Sequence, residues 1–459
     1  MTVRRLSEHS RQTVFQSSSF CPPVFIWRAA SYVDFLFCQI DIKNKMWFAR
    51  RMNDTSFSSV AFRTSGTNLK RAKLHNHRVV LEIIRTRGPV SRTEISEITS
   101  LSRQTVQNIV ADMESRGVVT MQASKAVGRG HPGMKVQLKA DHAFSLGFHV
   151  NRLSVVAIAC DLFGQIVWQQ SAVLPSGPAS ATAANNLVVQ LTNQLRKDKP
   201  DLCEKVFGVG LAAPGPFLSE EEISEGFDAT VFSEFGAPDN LAKLQTTLGL
   251  PVVIQNDASA AALGEHVYGL GQSFSSFAFV QFGMGLGSGL ILNGALYSGA
   301  TKNAGEVGHI CVDPAGPNCT CGRRGCLEKY LSINALCERL RLEPTDHTSV
   351  AKIEALFEQR DPAILDWMSE VAPHLWKLID VIDMMLDPEA IIIGGIIAPA
   401  FLRELLSKAS PLPERPFGTG QKVERIMIGE AGVTAVALGA TATAVDALYA
   451  PQISHLFLA

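Results

Sequence analysis

Gly305-Glu306-Val307-Gly308-His309, followed by Cys319-Thr320-Cys321-Gly322-Arg323-Arg324-Gly325-Cys326-Leu327-Glu328, is the most informative stretch of this chain. Three thiols and one imidazole suit a tetrahedral Zn²⁺, whose charge stabilises the thiolates. His309, Cys319, Cys321 and Cys326 are therefore the expected metal ligands. Gly322 and Gly325 permit the tight turn that brings the sulfurs together. Four protein ligands leave no open coordination position, so the zinc is expected to be structural. Cys311 lies close by but outside the arrangement. Reduced, buried thiols are the plainer reading, and the density of cysteine in so short a run argues against it.

Around this stretch the chain has 459 residues, 46% of them hydrophobic and 19% charged, which excludes a collagen, a coiled coil and a mostly disordered chain. The length suits two to four domains. Its nine cysteines are odd in number and unevenly placed, so a disulfide framework is not expected. No apolar run is long enough to cross a membrane, and Phe20 to Ile42 is too broken by prolines and charges for a signal peptide. A cytoplasmic location is expected. The net charge of −1 hides an asymmetry. Residues 71–140 hold 12 Lys/Arg and 5 Asp/Glu, residues 1–70 hold 10 and 4, and the remainder is acidic. A basic front end on an acidic body points to a polyanionic partner.

Residues 1–70 show no period of either kind and are expected to be a disordered leader or an over-long start, with Met46 or Met52 as the true first residue. Residues 71–140 read as three helices and a hairpin. The first helix carries Val79, Val80, Ile83 and Ile84 and stops at Gly88-Pro89. Ser91 and Glu94 form a capping box for the second, whose apolar residues are Ile95 and Ile98. The third starts at Ser102, repeats Val106, Ile109, Val110 and Met113, and ends at Arg116-Gly117. Strands at Val118–Met121 and Lys135–Leu138 flank a turn rich in glycine. This is a winged helix-turn-helix. Its third helix presents Arg103, Gln104, Thr105, Gln107 and Asn108 near the end that enters a major groove, and Arg129 lies in the wing turn. Double-stranded DNA is the expected partner, with a purely protein-binding winged helix as the alternative.

From 141 to 459 strands alternate with helices, which predicts an α/β fold with a parallel component. Strands are expected at Ser154–Cys160, Gln165–Gln169, Phe207–Leu211, Val252–Gln255, Ser276–Phe282, Gly289–Leu292 and Ala390–Ile393, and helices at Leu187–Arg196 and Ala258–Glu265. Asp257 is placed to cap the second of these helices.

The two motifs quoted first, together with Asn256-Asp257-Ala258-Ser259-Ala260-Ala261-Ala262-Leu263-Gly264-Glu265, resemble the ROK family of repressors and sugar kinases. Leu211-Ala212-Ala213-Pro214-Gly215-Pro216, and Leu386-Asp387-Pro388-Glu389 with Ile391 to Gly395, are similar to its other landmarks. The resemblance implies an actin-like (hexokinase-like) two-lobed ATPase fold behind the winged helix, and a homodimer or homotetramer. It further implies that Asn256, Asp257, Glu306, His309 and Glu328 contact sugar hydroxyls, and that Asp257 matches the general base of the kinases. The chemistry is sensible by itself: carboxylates accept from hydroxyls, and asparagine both donates and accepts. His309 would hold zinc through one ring nitrogen and face the sugar with the other.

The chain departs from a kinase where phosphate would bind. The kinases of this family carry an acidic residue and paired glycines after their first strand; the matching Gly147-Phe148-His149-Val150-Asn151-Arg152-Leu153-Ser154 has neither. In the second phosphate turn, Gly283 to Gly289, Met284 stands where the kinases place threonine. Weak or no ATP binding is expected. Three functions follow: a sugar-responsive transcriptional regulator, most simply a repressor of carbohydrate genes; an ATP-dependent sugar kinase fused to a DNA-binding module; and a sensor of another protein such as a sugar-transport component. A sugar or a sugar phosphate suits the first.

Overall fold

The computed structural model describes residues 69–451 apart from 124–132, 152, 176–179, 216–234, 345–347, 415–424 and 430–433. The leader expected over residues 1–70 falls almost wholly outside the described residues, as does Arg129.

Helix α1 (Leu69–Arg87) buries Val80, Leu81 and Ile84 and ends before Pro89, which has no N–H to continue it. A two-residue strand β1 (Val90–Ser91) follows. Helix α2 (Arg92–Thr99) opens on the expected capping box: the Glu94 N–H donates to Ser91 Oγ at 3.2 Å, and the Ser91 N–H to Glu94 Oε2 at 2.7 Å. Helix α3 (Arg103–Ser115) is capped by Ser102 and buries Val106, Ile109, Val110 and Met113 over β2 (Val119–Ala123) and β3 (Met134–Leu138). Two features differ from the expectation. Strand β1 pairs with β3, so the wing is a three-stranded sheet in the order β1-β3-β2. Ile98 is 41% exposed, because a helix of two turns turns only Ile95 fully into the core.

The remainder runs one topology twice. Strands β4 (Phe144–Val150), β5 (Ser154–Cys160) and β6 (Ile166–Val173) form an antiparallel meander. Helices α4 (Ala181–Asp198) and α5 (Pro200–Glu204) lead to β7 (Val206–Ala213), and α6 (Pro238–Leu248) to β8 (Val252–Asn256), both parallel to β4. The sheet order is β6-β5-β4-β7-β8. Helix α7 (Asp257–Tyr268) then crosses to β9 (Phe277–Phe282), β10 (Leu286–Leu292) and β11 (Ala295–Leu296). Helices α8 (Ile333–Leu340), α9 (Ser349–Glu358) and α10 (Pro362–Leu386) precede β12 (Ala390–Gly395), and α11 (Pro399–Lys408) precedes β13 (Ile426–Ile428). That sheet is ordered β11-β10-β9-β12-β13, with β12 parallel to β9 and β13. The apolar runs of β9 and β12 are buried along their whole length because both faces are covered.

The helix that ends each repeat lies on the sheet of the other. Helix α7 packs on β9 and β10, while α12 (Ala435–Tyr449) packs on β4, β5 and β7. The two helices also pack on each other at glycines: Gly264 of α7 lies against Gly439 and the Ala435 carbonyl of α12, and Gly439 against the backbone of Ala260 and Ala261. Their buried, alanine-rich faces bring the two lobes together and place the N-terminus of α7 at the junction.

Candidate functional site: a polar cluster beside a metal-ligand quartet

Asn256 ends β8 and caps α7: its Oδ1 accepts from the N–H groups of Ala258 at 2.9 Å and Ser259 at 3.3 Å. The cap is thus Asn256 and not Asp257, which is the first helical residue; Asp257 Oδ1 accepts from the Ala258 N–H at 2.8 Å. Capping occupies the carbonyl end of Asn256 and leaves its amide end to face outward. A methyl built on Gly215 would lie 2.8 Å from Nδ2 of Asn256 and 3.6 Å from Oε1 of Glu306, so these two groups converge on the same point.

Glu306 precedes a short 3₁₀ turn, Val307–His309, and Glu328 lies in another, Leu327–Lys329. His309 stands between them: its Nε2 is 3.9 Å from Glu306 Oε2, and its Nδ1 is 3.5 Å from Glu328 Oε1. Burial, with Asp257 and Glu328 close by, pushes the Glu306 carboxyl up to about 7. Burial likewise raises Asp257. All five expected hydroxyl readers stay partly exposed. Three carboxylates, one amide and one imidazole nitrogen at one spot offer both acceptors and donors to a polyol.

The four expected metal ligands are also together. The four atoms available from His309, Cys319, Cys321 and Cys326 lie within 4.8 Å of one another. Cys319 Sγ is 3.5 Å from His309 Nδ1, and the Sγ atoms of Cys321 and Cys326 are 3.6 Å apart. Tetrahedral zinc bonds imply edges of about 3.8 Å between sulfurs and about 3.6 Å between sulfur and nitrogen, so the residues fit the ion. Burial pushes the Cys319 thiol up to about 12 and raises Cys326, so thiolates there need a cation. Gly325 makes the loop possible: at φ +63°, a methyl on it would stand 1.6 Å from the Asp313 carbonyl oxygen. Quartet and polar cluster share His309, which turns Nδ1 to the sulfurs and Nε2 to Glu306. Cys311 is exposed and donates to the Arg324 carbonyl, apart from the quartet.

The stretch matching the first phosphate turn is the end of β4, a turn and the start of β5. Asn151 Oδ1 accepts from the N–H groups of Leu153 at 2.8 Å and Ser154 at 2.9 Å. Burial pushes the His149 imidazole down to about 4, so it is neutral near pH 7. In the second turn the Gly283 N–H donates to the Gly285 carbonyl at 3.0 Å, and the carbonyls of Gly283 and Met284 accept from Ile333 and Asn334 at the start of α8.

On α3, Arg103, Gln104, Gln107 and Asn108 are exposed. Gln104 Nε2 donates to Asn108 Oδ1 at 2.9 Å, one helical turn on. Thr105 is half-buried, and its hydroxyl sits 2.8 Å from that of Ser102, so part of its capacity is used in the cap. No helix among the described residues is long and apolar enough to cross a membrane.

Comparison with known proteins agrees with this architecture. Residues 148–446 match the ROK family, and residues 68–130 match the MarR family. The chain is 26% identical over 371 residues to the xylose repressor of Bacillus subtilis (strain 168), covering 81% of this chain and 95% of that one. It is 24% identical over 345 residues to the DNA-binding transcriptional dual regulator NagC of Escherichia coli (strain K12), covering 72% and 83%. A crystal structure of a ROK family transcriptional regulator, a homologue of the E. coli MLC protein, superposes with a TM-score of 0.65 at 22% identity, over 83% of this chain and 97% of the other. The doubled sheets are the two lobes of the actin-like, hexokinase-like fold, and the chain belongs to the ROK family, with a MarR-type winged helix in front.

Proposed function

We propose that this protein is a sugar-responsive, DNA-binding transcriptional repressor of carbohydrate genes. The observation that carries the reading is the pairing of two sites in one chain: an α3 whose exposed N-terminal half is built of base-reading side chains, and a cluster of hydroxyl-reading groups at the lobe junction. The names of the B. subtilis and E. coli relatives support it. In this reading residues 71–140 bind an operator through Arg103, Gln104, Thr105, Gln107, Asn108 and Arg129. Residues 141–459 bind a sugar or sugar phosphate through Asn256, Asp257, Glu306, His309 and Glu328. A zinc ion on His309, Cys319, Cys321 and Cys326 sets the orientation of His309 and the loop that carries Glu328. The protein acts as a homodimer or homotetramer on paired half-sites. The sugar binds the DNA-bound and free states unequally, which is the only way it can shift the balance between them.

A kinase reading finds less support. The backbone donors that a first phosphate turn would offer are used by Asn151, and His149 carries no charge. The kinase-like lobes are therefore read as catalytically inactive.

The test is DNA binding at fixed salt, on duplexes selected by the zinc-loaded chain from a randomised pool, with D-xylose, N-acetylglucosamine and D-glucose added in turn. One of them is expected to weaken binding. ATP-dependent phosphorylation of a sugar, lost in Asp257→Asn, would establish the kinase reading instead. In the same assay Arg103→Ala is expected to weaken binding by about 1–3 kcal/mol where Arg103 reads a base. Unchanged affinity together with an unchanged salt dependence would remove Arg103 from the interface.

A further inference from the structure

Two arginines of α1 reach across to the lobes. Arg85, in the last turn of α1, donates from Nη1 to the carbonyl of Val267 at 2.9 Å, in the last turn of α7. Its Nε and Nη2 donate to the two carboxylate oxygens of Glu82 at 2.9 and 2.6 Å. The guanidinium is thus fixed on its own helix while it holds the other, and its side chain is only 8% exposed. Arg78 stands two turns earlier on the same face and donates from Nη1 to the carbonyl of Ala450 at 3.3 Å, the residue that caps α12. The last carbonyls of a helix have no donor within it and carry partial negative charge, so a cation is their natural partner. One face of α1 therefore grips the C-terminal ends of both helices that cross between the lobes.

The seam is packed as well as bonded. Leu162 is buried in the apolar core of the winged helix, against which Phe207 and Tyr449 also pack. The Phe207 and Tyr449 rings meet edge to face at 4.6 Å. A packed joint of this kind passes displacement on, where a loose linker would absorb it.

The far end of α7 is the pocket, since Asn256 caps it and Asp257 is its first residue. Its twelve residues rise about 18 Å, as one hydrogen-bonded rod. We propose that α7 is the element through which pocket occupancy reaches the DNA-reading helix, with Arg85 as its coupling to the winged helix and Arg78 on α12 as the second point of attachment. This inference rests on the sugar-responsive reading above. A sugar that draws Asn256 and Asp257 toward Glu306 moves α7. Helix α12 is seated on the other sheet and moves differently. Unequal motion of the Val267 and Ala450 carbonyls tilts α1, and α3 with it.

The experiment uses the full chain, the selected duplex and the same three sugars. Arg85→Met keeps the apolar stem and removes the donor; Arg85→Lys keeps the charge and one donor. For each protein three quantities are measured: DNA affinity without sugar, sugar affinity, and DNA affinity at saturating sugar. In the wild type the sugar is expected to change DNA affinity by about tenfold or more. In Arg85→Met this factor falls toward one while the first two quantities and the melting temperature stay near wild type, and Arg85→Lys recovers part of the response. Hydrogen exchange along residues 79–87 is expected to respond to sugar in the wild type and not in Arg85→Met. A wild type that responds alongside an Arg85→Met that responds equally overturns the inference and leaves the function standing. A wild type whose DNA affinity none of the sugars changes overturns the function and the inference with it.

Discussion

Cys321→Ser is expected to abolish zinc retention and to cost the protein its response to sugar in the same step. The quartet sits in a loop whose geometry is set by turns and by the ligands, with little apolar side-chain burial beyond Cys319, Cys326 and Leu327. A structural zinc supplies about 10–16 kcal/mol of apparent binding energy in small zinc-folded peptides, so removal of one thiolate should release the ion. Serine keeps the volume of Cys321 but offers a poor ligand. Against burial, hydrogen bonds from Arg323 hold the Cys321 thiol below its ordinary value, so it is the ligand most ready to ionise. His309 and Glu328 depend on this loop for position, and their 3.5 Å contact belongs to the proposed sugar site. Metal content by mass spectrometry is expected to fall from about one zinc per chain to a small fraction of that. Sugar affinity should fall together with it. A variant that keeps its full zinc would remove Cys321 from the ligand set.

Gly210→Ala is expected to destabilise the junction of the two lobes severely. Gly210 lies in β7, under α12, and a methyl there would stand 1.7 Å from the carbonyl oxygen of Ala440 and 2.6 Å from its carbonyl carbon. Both obstacles are backbone, so no rotamer change relieves the clash. Either α12 lifts off the sheet or β7 bends. Overpacking of this kind typically costs 1–3 kcal/mol when side chains can yield, and roughly 4 kcal/mol or more is expected where they cannot. Set against a typical stability of about 5–15 kcal/mol, that leaves a protein with a much lowered melting temperature or little folded product. Thermal melts of purified protein decide it. A melting temperature within about 2 °C of wild type would mean that α12 is not seated on β7 as described.

The winged helix is legible almost residue by residue, because its signals are local. The Ser91–Glu94 box, the helix start at Ser102 and the Val106–Met113 stripe are each set within one helix, and each stands as read, Ser102 proving to be the cap. What escapes is β1, since two residues carry no period, and the exposure of Ile98. The metal quartet is legible for the same reason: its ligands span a short run, and the structure brings all four within reach of one ion. The pocket is different. Asn256 and Glu306 lie in separate lobes' connections, and only the resemblance to a family put them side by side. The capping role assigned to Asp257 belongs to Asn256, one residue earlier, a shift that pattern reading cannot resolve.

The doubled topology and α12 stay hidden for a physical reason. Strand order is a long-range property, and the two halves share it without sharing an evident sequence repeat. Helix α12 is buried nearly all round, so its alanine-rich sequence has no polar face to give a helical period away. Arg78 and Arg85 pass as two more charges in a basic module; only the structure brings them onto the ends of α7 and α12.

The crossing of α7 and α12 onto each other's sheets also sets an order in time. A chain leaves the ribosome from its N-terminus, and β4, β5 and β7 emerge long before residue 435. Until α12 arrives, the face formed by Leu146's neighbour Gly147, Gly208 and Gly210 has nothing to cover it. The first lobe cannot close during synthesis, and its last contacts join residues more than two hundred positions apart. Such distant pairing is slow, and it leaves an uncovered sheet face waiting in a crowded cell. The winged helix owes far less to the C-terminus: Tyr449 packs only at the edge of its core, and its helices and sheet pair among themselves, so most of it can form while the rest of the chain is still being made.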